Sequence, residues 1–323
     1  MKNLRRISWM LLAVLFLSIA ACKKSTDNVP ERKTDPEFQT LVSYLASNQM
    51  DLSNILTDWI IPAASVYKNL SSFYVIDIRN SADYAAGHIE GAVNSTLGGV
   101  LDAAKDAGGK TIVVACYTGQ TAAHAVVALR LSGYPDAKVL KWGMAGWTSS
   151  LASPWENNVD TKDSPNWIAA PGSILENEEY DDPDLTVTAT DGAGMLSERV
   201  ALMLSQGFKK ISSTDVLADP GKYFINNFWD AENVTEYGNI ANAHRIKPLT
   251  LAGEEYKYLN PSKTIVTYCW TGQTSSMVTA YLTVLGYNTK SMLFGVNSII
   301  YDNLHSHKWT PPANDLPLVS DTK

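Results

Sequence analysis

Cys116-Tyr117-Thr118-Gly119-Gln120-Thr121 and Cys269-Trp270-Thr271-Gly272-Gln273-Thr274 are one segment written twice, 153 residues apart, with one aromatic residue exchanged for another. Gly133-Tyr134 and Gly286-Tyr287 keep the same offset. So do Asp77-Ile78-Arg79 with Asp83-Tyr84 and Asp230-Ala231-Glu232 with Glu236-Tyr237. Three segments in one register predict a duplicated domain, in two long copies rather than a solenoid of short repeats.

Working outward from the cysteines, each copy alternates strand and helix. Phe73-Tyr74-Val75-Ile76, Thr111-Ile112-Val113-Val114-Ala115 and Thr264-Ile265-Val266-Thr267-Tyr268 are short apolar runs rich in β-branched residues, so they predict buried strands. Residues 122–131 and 277–285 predict helices, each closed by a glycine, Gly133 or Gly286. Lys138-Val139-Leu140 predicts the next strand. This alternation predicts an α/β fold of two domains, each a parallel sheet flanked by helices. Ligands of such sheets bind at the carboxyl ends of the strands.

Each cysteine falls at such an end, between a buried strand and a helix. A glycine-containing turn there aims backbone N–H groups inward beside a helix N-terminus, which favours thiolate over thiol. A cysteine serving only as a small core residue would not need the same loop around it in both copies. Only three cysteines are present, so one thiol per half remains once Cys22 is set aside.

Residues 1–21 lie outside the duplicated unit. Lys2, Arg5 and Arg6 precede an apolar run, then Ala20 and Ala21, the order of a secretion signal. The run is too short to span a bilayer comfortably. Leu17-Ser18-Ile19-Ala20-Ala21-Cys22 resembles a bacterial lipobox, which implies cleavage before Cys22 and lipidation of its sulfur. In lipoproteins an aspartate after that cysteine often favours retention at the inner membrane. Lys23 stands there instead, so the resemblance implies a cell-envelope protein of the outer membrane. Residues 22–35 predict a lipidated tether. Loss of residues 1–21 leaves 23 basic against 33 acidic residues, a net charge of −10, which speaks against nucleic acid as a partner. Nine of the acidic residues and four prolines lie in residues 151–186, which predicts a solvated acidic linker over residues 154–186. The domains then span residues 36–153 and 187–315. No metal cluster or nucleotide loop is apparent, so no cofactor is expected.

The first copy resembles the rhodanese family of sulfurtransferases over about residues 50–150. The resemblance rests on Asp77-Ile78-Arg79, Gly87-His88-Ile89-Glu90-Gly91-Ala92, the Cys116 loop and Gly143 to Trp147. The second copy resembles it over about residues 205–310 in a more degenerate form. There Glu232 stands at the Arg79 position, Asn239 at His88 and Asn242 at Gly91. The resemblance implies a sulfurtransferase in which a cysteine persulfide carries sulfane sulfur from thiosulfate or a persulfide to a thiol or cyanide acceptor. Cys116 is then the nucleophile, with Cys269 its counterpart. The amides from Tyr117 to Thr121, and from Trp270 to Thr274, form the anion cradle. Thr118 and Thr121 offer hydroxyl donors. Asp77 and Arg79 brace the loop, and His88 bridges structure. In familiar two-domain relatives the second domain is usually the active one, whereas here the fuller motif set lies in the first. Basic residues that follow the cysteine in many thiosulfate-using relatives are replaced by Tyr117-Thr118 and Trp270-Thr271.

Three other functions can be weighed on the same residues. A phosphatase on this fold needs a loop one residue longer that ends in arginine, and Ala122 and Ser275 occupy that place. A dithiol redox protein would pair Cys116 with Cys269, although no C-x-x-C motif is present. A non-catalytic binding module suits the second copy best, because it lacks the Arg79 and His88 equivalents.

Overall fold

Thr111–Ala115 is the middle strand of a sheet, and every residue from Ile112 to Ala115 is buried. Its run of β-branched residues suits a strand covered on both faces. In the computed structural model, which describes residues 32–321, this is β4 of a five-stranded sheet. The others are β1 (Ile60–Ile61), β2 (Phe73–Asp77), β3 (Val93–Asn94) and β5 (Lys138–Leu140). They lie in the order β1-β5-β4-β2-β3, all parallel. Helices α1 (Pro36–Ser47), α2 (Leu52–Ile55), α3 (Ala63–Lys68), α4 (Ser81–Ala86), α5 (Val100–Ala104) and α6 (Gln120–Leu131) accompany it.

The second sheet repeats this plan. After α7 (Ser153–Glu156) and β6 (Trp167–Ile168) come α8 (Gly192–Gln206), β7 (Lys210–Ile211), α9 (Ser213–Ala218), β8 (Phe224–Asn227) and α10 (Ala231–Tyr237). Then follow β9 (Asn239–Ile240), β10 (Ala243–His244), β11 (Ile265–Tyr268), α11 (Gln273–Val284) and β12 (Thr289–Met292). The order β7-β12-β11-β8-β10 is again wholly parallel and matches the first sheet strand for strand. β6 and β9 form a separate antiparallel pair.

Strand register corrects one sequence match. Asp77 pairs with Ala115, and Asn227 pairs with Tyr268, the residue 153 places after Ala115. Asn227 is therefore the counterpart of Asp77, and Trp229 that of Arg79. Asp230 is the N-cap of α10, as Asn80 is of α4. Asp230 resembles the bracing aspartate in sequence, but its carboxylate accepts from Lys247 Nζ at 3.0 Å and makes no cap bond. The second copy has neither member of the Asp77–Arg79 pair.

α6 and α11 pack against each other between the sheets. In α6 every residue but Thr121 is buried, in keeping with a sequence that is apolar on most sides. One apolar core joins Val126 and Leu129 of α6, Met203 of α8 and Val278 and Leu282 of α11.

The two ends of the described chain are exchanged between the halves. α1 lies against the second half. Phe38 meets the rings of Tyr256 at 5.3 Å and Tyr287 at 6.2 Å, and Tyr44 fills the space over Gly192. Phe38, Leu41 and Leu45 are fully buried there, each burial contributing roughly 1.5–3 kcal/mol. Residues 315–321 return to the first half. Asp315 accepts from the Ser149 amide at 2.6 Å, Trp147 Nε1 donates to Pro317 O at 3.0 Å, and His88 and Val319 exchange both backbone bonds at 2.9 Å.

The acidic linker is less open than its composition predicts. Asp182 is buried and pairs with Arg32, while also accepting from the Asp35 amide at 3.1 Å and Gln39 Nε2 at 2.8 Å. Residues 32–35, read as the end of a tether, are thereby held in place, and Asp35 caps α1. The signal segment, Cys22 and the rest of the tether lie outside the described residues. Among the described residues no helix is long and apolar enough to cross a membrane.

Candidate active site

Cys116 directly follows β4 and is 2% exposed. Its chain turns at Gly119, at φ +82, into the first turn of α6. The turn brings two amides onto the sulfur: Gly119 N–H donates to Sγ at 3.1 Å and Ala122 N–H at 3.3 Å. Ala122 lies one residue beyond the loop read from sequence. It belongs because the first-turn amides of a helix have no partner within the helix. Thr118 Oγ1 accepts from Gln120 Nε2 at 3.1 Å.

Two effects compete at this thiol. Burial disfavours the charged form and raises its pKa, while the amides of Ala122, Thr118, Gly119 and Thr121 oppose it. Burial wins, contrary to the expectation of a readily formed thiolate.

Asp77 and Arg79 stand at the carboxyl end of β2, beside β4. Both are buried, and Arg79 grips the carboxylate through Nε at 3.0 and 3.1 Å and through Nη2 at 2.7 Å. Arg79 Nη2 also donates to Gly87 O at 2.7 Å. His88 stacks on Tyr84 at 3.9 Å, with Nδ1 2.9 Å from Tyr84 O. Both groups therefore fasten the β2–α4 segment rather than reach Sγ.

Tyr117 is 38% exposed, and its hydroxyl donates to Asp83. Asn80 Nδ2 donates to both, at 2.6 Å to Asp83 and 2.7 Å to the Tyr117 oxygen. The Tyr117 bond, the Asn80 bond and the charge of Arg79 hold the Asp83 pKa below the usual carboxylate range. A cavity of about 400 Å³ opens beside this cluster, walled by Arg79, Asp83, Tyr117, Met144, Leu151 and Leu318. Asp83 was noted in the sequence only as part of a repeat. Its place beside the loop depends on the Tyr117 bond, which spans 34 residues.

The second loop differs in surroundings. Ser275 N–H donates to Cys269 Sγ at 3.3 Å, and Ser275 Oγ lies 3.6 Å from it. Trp270 packs against Trp229 at 4.3 Å and Tyr237 at 5.4 Å, and His307 stacks on it at 4.8 Å. Trp229 thus puts an indole where Arg79 stands in the first copy.

The loops meet at the joint between the halves. Gln120 Oε1 accepts from Phe294 N–H at 2.8 Å, and the Gln273 side chain lies over Gly119. Both cysteines are free thiols. Among the described residues no group of His, Cys, Asp and Glu could hold a metal ion.

The class the fold and site define is a parallel α/β domain that presents a cysteine to the amides of a strand-to-helix loop. The chain belongs to the rhodanese-like family. The model of the rhodanese-like domain matches residues 63–150. The thiosulfate sulfurtransferase GlpE of Pseudomonas fluorescens (strain SBW25) is 34% identical over 77 residues, covering 24% of this chain and 71% of that protein. Among solved structures, a rhodanese-related protein of Thermoplasma volcanium is 26% identical, over 28% of this chain and 89% of that one, with a TM-score of 0.26. A thiosulfate sulfurtransferase of Pseudomonas aeruginosa is 14% identical, over 86% of this chain and 49% of that one, with a TM-score of 0.30.

Proposed function

We propose that this protein is a sulfurtransferase that moves sulfane sulfur from a donor to a thiol or cyanide acceptor through a persulfide on Cys116. The observation that carries the reading is the placement of Cys116 Sγ under the Gly119 and Ala122 amides at the head of α6. These donors would stabilise the negative charge of a thiolate or persulfide. Asp77 and Arg79 keep the neighbouring strand end in place. The relative's printed activity, thiosulfate sulfurtransferase, agrees with this reading.

The Cys269 half is proposed to serve as a binding module. Trp229 and His307 pack on Trp270 beside its loop, and the counterpart of Asp77–Arg79 is absent. We also propose that the chain is held in the bacterial envelope, at the outer membrane, by lipid on Cys22. That rests on the sequence of residues 1–23.

Intact mass of the full chain after exposure to thiosulfate, and separately to a small persulfide, tests the function. The expected result is a cyanide-labile gain of one sulfur, about 32 Da, that disappears in Cys116→Ser and persists in Cys269→Ser. Loss only in Cys269→Ser would move the chemistry to the second half. A two-proton mass loss on oxidation with no sulfur gain would favour the dithiol.

A further inference from the structure

The cavity beside the Cys116 loop carries few charged groups. This inference rests on the sulfurtransferase reading above and narrows its donor. Of the residues that wall the cavity, only Arg79 and Asp83 are charged. Arg79 is spent on Asp77 in a pair with both side chains 1% exposed. Asp83 is hydrogen-bonded by a phenol and a primary amide, Tyr117 and Asn80, neither of which cancels its charge. The remaining charge of the cavity is one carboxylate at its exposed edge. Leu151, Leu318 and the buried Met144 supply an apolar wall. Leu318 comes from the C-terminal segment and touches the segment at Gly87, so the last residues of the chain complete the cavity.

We propose that this cavity, bordered by Tyr117 next to Cys116, holds the organic tail of the donor, and that Asp83 selects small amine-bearing organic persulfides over sulfur oxyanions. A divalent anion such as thiosulfate meets a like charge there and finds no free cation. An aminoalkyl persulfide places its ammonium against Asp83 and its carbon chain against Leu318 and Leu151. The step needs no oxidant. Cys116 thiolate attacks the outer sulfur of R–S–SH, a Cys116 S–S bond forms, and the donor's own S–S bond breaks. The outer sulfur keeps its proton and R–S⁻ leaves. An acceptor thiolate then takes the sulfur and returns Cys116 to thiolate.

The test is the initial rate of sulfur gain at Cys116, read by peptide mass on the full chain. The probes are cysteamine persulfide, 2-hydroxyethyl persulfide, which lacks the ammonium, and thiosulfate. Cysteamine persulfide is expected to exceed the hydroxyethyl compound by roughly five- to tenfold at low salt, and thiosulfate to be slowest. The advantage should shrink in 0.5 M salt. Asp83→Asn should abolish it and speed thiosulfate, while Tyr117→Phe, which keeps the charge, should preserve it. Equal rates for the two persulfides in the unaltered protein, or thiosulfate as the fastest donor, would overturn the proposal. No sulfur on Cys116 from any donor would overturn the sulfurtransferase reading itself.

Discussion

Four side chains show how burial sets chemistry in this protein. Cys116 gains amide donors and loses solvent, and the second effect is the larger, so its pKa is raised. The nucleophilic form is the thiolate, so a raised pKa leaves less of it at neutral pH. Alkylation of Cys116 by iodoacetamide, followed in Cys269→Ser, is expected to reach half its maximal rate above pH ~8.5, the ordinary thiol value. Arg79 and Asp77 are a buried pair, and removing one partner strands the other. Arg79→Met should cost about 3–5 kcal/mol of stability, measured by denaturant melts. His124 lies fully buried on α6 with its ring 5.6 Å from Phe208. Burial lowers its pKa to about 4 from an ordinary 6.5, so the unfolded chain binds a proton there that the folded chain refuses. Its contribution is intact above pH 6.5 and is lost as pH falls toward 4, by roughly 3 kcal/mol. His124→Leu should flatten that acid limb in melts run across this range.

At the scale of elements, the Cys116 loop depends on the 3-10 turn after β5. Gly143 has φ +63, and a Cβ there would lie 2.3 Å from Cys116 O and 2.6 Å from Gly119 N. Gly143→Ala should therefore displace the loop and cost more than about 2 kcal/mol, with sulfur gain at Cys116 falling alongside stability in the same preparation. Of the twelve strands among the described residues, four (β2, β4, β5 and β11) were legible in sequence, all of them inside a sheet. Thr111–Ala115 and Lys138–Leu140 have the predicted bounds, because a strand buried on both faces must be apolar throughout. The helices start earlier than the apolar pattern implies, at Gln120 and Gln273. Each glutamine is buried by the other half, and its polar side chain conceals this. The equivalence of Asp77 with Asn227 was not legible, since Asp230 offers an aspartate three residues on at the same strand-to-helix turn and only strand register separates the two. Nor was the buried place of Asp182, whose partner Arg32 lies 150 residues away. Residues 315–321 carry too few apolar positions to show a period, yet they pair with His88 and wall the cavity.

For the whole molecule, the exchanged ends decide how separable the halves are. A chain ending at Pro312 loses the Trp147, Ser149 and His88 contacts and the cover of Leu316 and Leu318. Its Tm should fall by at least about 5 °C in a thermal melt, with the first half more open to protease. The first half, expressed alone, would bare Phe38, Leu41 and Leu45. The same exchange bears on synthesis. The ribosome makes the first sheet long before residues 315–321, the segment that closes it. The first half therefore cannot reach its final state while the rest is being made. Arrival of residues 315–321 lets the first half close, and a product ended before them carries its own mark in bared apolar surface that cellular quality control can read.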